Sequence, residues 1–264
     1  MSGTLHFIHV GKTGGSVLAG ALVRAGYANW ASSDPDRPVK DTRYGRINLG
    51  GHANRMPEVP ADDHVMFCLR DPMRRFVSAF HSRLNRGQPR YFYEWTEREK
   101  MIFEVWQTPQ ALAEGLLAED PVDRQLSEWG MANIRHLHTL HSHVGTRSTI
   151  RLRKKRVVYI ARQETLADDW VKIRRILGVP EDVELTDDPV KAHRRNTAID
   201  ELTPEVQGAL RKWYAQDYRL LSYCERLRAW NGWGPDRSAA EKLRGAPALI
   251  PPPPLVVRKR LKFL

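Results

Sequence analysis

Apolar positions fall first into a run, Leu5-His6-Phe7-Ile8-His9-Val10, which ends at Gly11-Lys12-Thr13-Gly14-Gly15. Leu18, Ala21, Leu22 and Ala25 then recur at helical spacing until Gly26, so the opening predicts strand, glycine-rich turn and helix. Residues 29–60 are polar, with prolines at 35, 38, 57 and 60, and read mainly as loop. A second run, Val65-Met66-Phe67-Cys68-Leu69, reaches Arg70-Asp71-Pro72, where Asp71 suits an N-cap and Pro72 the first helical position. Phe76, Val77, Phe80 and Leu84 form the stripe that follows, and Gly87 ends it. Between 91 and 130 the pattern is helical and aromatic-rich, broken at Pro109 and Pro121. Val157-Val158-Tyr159-Ile160 predicts a third buried strand, followed by a helix with Leu166, Trp170, Ile173 and Leu177 on one face. Thr203-Pro204-Glu205 opens the longest predicted helix, whose stripe runs through Val206, Leu210, Trp213, Leu220, Leu221, Cys224 and Leu227.

Strands alternating with helices imply a parallel sheet covered on both faces. The expected fold is a three-layer α/β/α domain over residues 1–234, with a helical insertion at about 90–150. The first glycine turn then lies at the carboxyl edge of the sheet, where such proteins bind ligands. Residues 235–264 change to Ala, Pro and Lys/Arg, with four prolines at 251–254, and read as an extended basic tail.

Hydrophobic residues make up 41% of the 264 and charged residues 28%, which excludes wholesale disorder. No apolar run approaches the roughly 20 residues of a membrane-spanning helix. The first run reaches Lys12 after six residues, unlike a signal peptide. Two cysteines cannot build a disulfide framework. A soluble, cytoplasmic protein is expected. Lys and Arg number 42 against 31 Asp and Glu, a net charge of +11, which favours an anionic partner. Much of the excess is local, in RLRKKR at 151–156 and RKRLK at 258–262. Such patches, without a recognised binding module, make nucleic acid the weaker reading.

Lys12-Thr13-Gly14-Gly15-Ser16 carries the candidate chemistry. Glycines let successive backbone N–H groups point at one anion, and a helix N-terminus adds partial positive charge. Lys12 supplies a full charge, and Thr13 and Ser16 supply hydroxyls. The loop is not a nucleotide triphosphatase loop, because the glycine that spacing needs is His6. GxGxxG fails too, since Lys12 and Thr13 separate Gly11 from Gly14. A kinase-like nucleotide protein is therefore only an alternative.

The segment from His9 to Ser16, HVGKTGGS, resembles the 5′-phosphosulfate loop of sulfotransferases, usually H-I-P-K-T-G-G-T/S. Arg70-Asp71-Pro72-Met73-Arg74-Arg75-Phe76-Val77-Ser78-Ala79-Phe80 is similar to their 3′-phosphate motif, R-D-P-x-x-R-x-x-S-x-Y/F. Gly51-His52 resembles the G-H element of heparan sulfate 2-O-sulfotransferase-like members, and residues 164–170, ETLADDW, their E-x-L-x-x-D-[FW]. Asn196-Thr197 and the later Tyr214-Ala215-Gln216-Asp217-Tyr218 resemble the family's ending. Two departures stand out: Gly11 replaces the usual proline, which should loosen the loop entry, and Gly50 stands where some 2-O members carry a second histidine.

The resemblance implies a P-loop NTPase-like sulfotransferase fold and the donor 3′-phosphoadenosine 5′-phosphosulfate (PAPS), with no metal. It also implies transfer to a hydroxyl of a carbohydrate or other small acceptor. Lys12 would sit at the oxygen bridging sulfur and 5′-phosphate. Thr13, Gly14, Gly15, Ser16 and Val17 would hold that phosphate, and Arg70 and Ser78 the 3′-phosphate. His52 would be the general base, with Glu58 and His81 as alternatives. The histidines at 136, 138, 141 and 143 lack the Cys or carboxylate that would complete a metal site. Tyr91, Phe92, Tyr93, Trp95 and Trp106 at helical spacing read as core rather than sugar-stacking surface. Asp217, interrupting an apolar stripe, calls for a buried partner such as an arginine. Arg147, Arg151 and Arg153 read as a solvated basic loop.

Overall fold

A computed structural model describes residues 3–30, 38–186 and 199–234; Asn196-Thr197 and the tail from 235 lie outside these. Strand β1 (Thr4–Ile8) leads into helix α1 (Gly15–Arg24), and β2 (Arg46–Asn48) follows at the sheet edge. β3 (His64–Leu69) is followed by α2 (Pro72–Leu84), and then by α3 (Glu97–Val105), α4 (Pro109–Glu114), α5 (Pro121–Asn133), α6 (His141–Val144) and α7 (Arg147–Leu152). β4 (Val157–Arg162) leads to α8 (Leu166–Leu177), and α9 (Pro204–Trp213) and α10 (Ala215–Trp230) complete the domain.

The sheet is parallel throughout, in the order β2-β1-β3-β4. Side-chain alternation divides it between two cores. Leu5 and Phe7 of β1, with Met66 and Cys68 of β3, face α1 and α8 through Leu18, Leu22, Trp170 and Ile173. Ile8, Val65, Phe67 and Leu69 face the other way, onto Leu140, Val144, Ile150, Leu220 and Cys224. This is the three-layer α/β/α fold. A third cluster joins α2, α4, α5 and α9 beside the sheet through Phe76, Phe80, Leu112, Met131 and Leu210. The chain moves to one side of β1 to form β2 and to the opposite side of β3 to form β4. The switch point therefore lies between the carboxyl ends of β1 and β3, where residues 9–16 and 70–71 emerge.

Local signals explain several element boundaries. Asp71 accepts from Met73 N and Arg74 N at the start of α2, with Pro72 as its first residue. Pro109 and Pro121 are likewise first helical residues behind Thr108 and Asp120 caps, so they open helices rather than interrupt one. Residues 91–95 are not helical, and Tyr91, Phe92 and Tyr93 are exposed while Trp95 and Trp106 pack on the third cluster. β2 falls in a segment that reads as loop because only Ile47 of its three residues is buried. The stripe from Val206 to Leu227 is two helices, since it serves two cores. Val206 and Leu210 enter the cluster beside the sheet, and Leu220, Leu221 and Cys224 pack under the sheet. Tyr214 between them is buried and donates its hydroxyl to Leu137 O at 3.2 Å.

Buried charges fasten the layers. Asp169, from the ETLADDW motif, is 1% exposed and accepts from Tyr159 Oη at 2.8 Å, Arg162 N at 2.7 Å and Thr165 Oγ1 at 3.0 Å. Arg228 of α10 meets both its carboxylate oxygens at 3.1 Å and donates to Ile160 O. Asp169→Ala strands that buried guanidinium and should destabilise the protein by about 3–5 kcal/mol. Thermal unfolding should then show a Tm lower by on the order of 10 °C. Asp217 is also fully buried, but its partners are Leu140 N at 2.7 Å and the His141 ring at 3.3 Å rather than an arginine. Arg153 bonds the carbonyls of Val59 and Pro60, and Arg147 lies 5.5 Å over the Tyr223 ring. Of the basic segment, Arg153 fastens structure, whereas Arg147 and Arg151 are exposed to solvent.

Candidate functional site

The turn after β1 adopts a conformation that gathers N–H groups. Lys12 has φ 66° and Gly14 φ 88°, both left-handed, and such alternation is what forms an anion-binding nest. Lysine rarely takes this conformation, so the surroundings must enforce it. They do so through the carbonyls. Arg75 Nε donates to Gly11 O at 2.9 Å, Arg70 Nη1 to Lys12 O at 3.2 Å, and the Cys68 thiol to Thr13 O. Peptide planarity then sends the next N–H groups, of Lys12, Thr13 and Gly14, away from β3 and α2, beside the first amides of α1. At the loop entry, Arg75, fully buried, holds the Gly11 carbonyl.

A cleft of about 630 Å³ opens at this switch point. Lys12, Gly14, Gly15, Ser16 and Val17 line it from the loop, Arg70 and Ser78 from β3 and α2, and His52 from the turn at Gly51–Ala53. Thr13 is placed differently: its side chain is fully buried and its hydroxyl donates to Val10 O at 2.9 Å, so only its backbone can serve a ligand. The Asp71 N–H, next to Arg70, is fixed by Glu164 at 2.8 Å. Glu58 and His81 are not among the lining residues, and His81 lies against Glu201 at 3.2 Å.

Three histidine rings meet along the cleft wall, tilted against one another. His9 and His52 have ring centroids 4.3 Å apart, and His52 and His136 4.7 Å. His52 Nδ1 lies 3.2 Å from His9 O. A carbonyl only accepts, so Nδ1 carries the proton and Nε2 keeps its lone pair. His52 is exposed as a residue, but its ring is partly enclosed by its neighbours. That desolvation lowers its pKa below the usual histidine range, opposed by the His9 carbonyl and aided by Arg135, Arg75 and Lys12. Burial takes His9 further, to about 3, with the neighbouring His52, His143, Arg90 and Lys12 adding to the effect. His9 Nε2 lies 3.3 Å from Ser16 Oγ.

Sequence reasoning did not place His136, Arg90, Tyr91, Tyr93 or Arg135 in this cleft, yet all five line it. The four histidines from 136 to 143 go separate ways: His136 joins the cleft, and His141 pairs with Asp217. Among the described residues no group of three His, Cys, Asp or Glu side chains is arranged to hold a metal. Lys12, Arg70, Arg83, Arg90 and Arg135 line the cleft, and none of its lining residues is acidic. Arg83 is neutralised by Glu99, with two contacts of 2.7 Å.

The model of the Sulfotransferase family matches residues 3–224. The chain belongs to the sulfotransferase family. Comparison with curated proteins and with solved structures returned no match. The family match takes in the turn after β1, the β3–α2 junction and ETLADDW, all of which meet around the switch point. As a sulfotransferase the protein transfers a sulfuryl group. Among the described residues no helix is long and apolar enough to cross a membrane.

Proposed function

We propose that the donor is PAPS and that the acceptor is a hydroxyl of a carbohydrate or similar small molecule. The observation that carries this reading is the bond from Arg70 Nη1 to Lys12 O. It ties the two motifs into one wall of the cleft that His52 also lines. A nest of amides and Lys12 suits the 5′-phosphosulfate. Arg70 and Ser78 offer a planar fork and a hydroxyl for a second phosphate. Tyr91 and Tyr93, with ring centroids 5.7 Å apart, give the cleft aromatic surface against which a sugar can lie.

In this reading His52 Nε2 takes the acceptor's proton as its oxygen bonds to sulfur. The bond from sulfur to the phosphate-bridging oxygen breaks, and Lys12 neutralises the charge growing there. The protein forms no covalent bond; it positions the groups and stabilises charge.

A thermal-shift panel with 3′-phosphoadenosine 5′-phosphate, ATP, NAD and duplex DNA tests the donor. The first should stabilise the protein selectively, by about 2.7 kcal/mol at a hundredfold excess over its Kd. Equal or greater stabilisation by ATP would favour the kinase-like alternative. Arg70→Ala should lose most of the preference for 3′-phosphoadenosine 5′-phosphate over 5′-AMP, with a smaller loss of 5′-AMP affinity because Arg70 also holds the Lys12 carbonyl. Ser78→Ala should act in the same direction more weakly, since a neutral donor contributes about half as much as a charged one. Competition binding on both variants checks this.

A further inference from the structure

We propose that His136 is a positioning residue for His52: its ring wedges the His52 imidazole against the His9 carbonyl, in the space that a side chain at position 11 would need. The proposal rests on the reading of His52 as the base. His52 lies between two rings, His9 at 4.3 Å and 35° and His136 at 4.7 Å and 57°. A single hydrogen bond from Nδ1 leaves an imidazole free to swing about its two χ angles, and flanking rings remove that freedom.

The space for the wedge is provided by Gly11. A Cβ there would lie 2.4 Å from His136 Nδ1, 3.0 Å from its Cγ and 3.3 Å from its Cβ. The crowding extends back to the Cβ of His136, so a swing of the ring alone would not relieve all of it. Gly11 is absent from the glycines with positive φ, so backbone conformation does not require glycine here. The close approach does.

His136 is held in place from both sides. It has φ 72°, sparsely populated for a side chain of this size. On one side Arg135 N donates to Glu99 Oε1 at 3.0 Å, and Arg83 fixes that carboxylate. On the other, Leu137 N bonds Ile134 O at 3.1 Å, and Leu137 O accepts from Tyr214 at 3.2 Å. Burial beside His52 and Lys12 keeps the His136 ring neutral, so it can pack on His52 without adding a charge.

The test reads the His52 tautomer without turnover, and so separates this proposal from the base assignment, which His52→Ala tests. Ring ¹⁵N shifts of His52 would be recorded above neutral pH, with 3′-phosphoadenosine 5′-phosphate bound, in wild type, His136→Ala, His136→Phe and Gly11→Ala. Wild type should show one tautomer, protonated at Nδ1. His136→Ala should show shifts averaged over two tautomers, and His136→Phe, which keeps a flat ring, should restore the wild-type pattern. Gly11→Ala should resemble His136→Ala, and combining the two should add nothing further, because both remove the same contact. Wild-type His52 shifts in His136→Ala, or a His136→Phe protein no better ordered than His136→Ala, would overturn the proposal. Should His136→Ala fail to fold, Gly11→Ala decides: His52 shifts unchanged from wild type would likewise overturn it.

Discussion

Lys12→Ala is expected to abolish measurable transfer while 3′-phosphoadenosine 5′-phosphate still binds. In the proposed mechanism the ammonium acts on charge that develops as the bridging oxygen leaves, an interaction stronger in the transition state than in the ground state. Removing one preorganised donor of this kind typically slows a reaction by about 10²–10³-fold, and Lys12 carries a full charge. The left-handed backbone at Lys12 adds a complication, since alanine is no better suited than lysine to φ 66°. Lys12→Gly serves as the control, because glycine adopts that conformation without strain. Both variants should bind the nucleotide product and both should be slow. Single-turnover kinetics at saturating donor checks the point, and a variant with reduced affinity but full turnover would remove Lys12 from the chemistry.

His52→Ala should leave nucleotide binding intact and reduce turnover by roughly 10²–10⁴-fold, the range of a positioned general base. The pH dependence follows from the sign of the shift. Only neutral imidazole accepts a proton, so the wild-type rate rises with pH as His52 loses its proton. Partial enclosure, Arg135, Arg75 and Lys12 together hold that pKa below the ordinary histidine range. The inflection should therefore fall below about 6.5, the unperturbed value. The other two bases that the sequence offered do not reach the cleft: His81 lies against Glu201, and Glu58 sits exposed in a short turn. A His52→Ala enzyme with normal turnover would instead pass the role to His9 or His136.

Much of the scaffold is legible in the sequence because its signals are local. β1, β3 and β4 are apolar runs, Asp71-Pro72 is a cap, and the glycine turn sits where one strand ends and a helix begins. β2 is illegible for a physical reason: a single buried Ile47 carries no periodicity. The stripe over residues 206–227 records that each position is buried but not in which core, so the break at Tyr214 could not be read from it. One part of the cleft follows from two contiguous motifs. Another is assembled from Arg90, Tyr91, Tyr93, Arg135 and His136, which reach it only through tertiary packing. One sequence signal for His136 existed, the glycine at 11 in place of the family's proline. Its meaning needed the ring that fills the gap. Thr13 shows the opposite case: it sits inside the recognised motif, yet its hydroxyl is committed to Val10 O.

The most direct test of the donor assignment is calorimetric titration of the wild-type protein with 3′-phosphoadenosine 5′-phosphate and with 5′-AMP, which differ only in the 3′-phosphate. Arg70 lies 9% exposed at the cleft wall, and a ligand lacking that phosphate forgoes the charged contact proposed for its guanidinium. Truncating one member of a buried charged pair costs about 2–5 kcal/mol, so 3′-phosphoadenosine 5′-phosphate should bind at least about tenfold, and up to about a thousandfold, more tightly. Equal affinity for the two nucleotides would contradict the assignment of Arg70 and Ser78, and with it the case for PAPS as the donor.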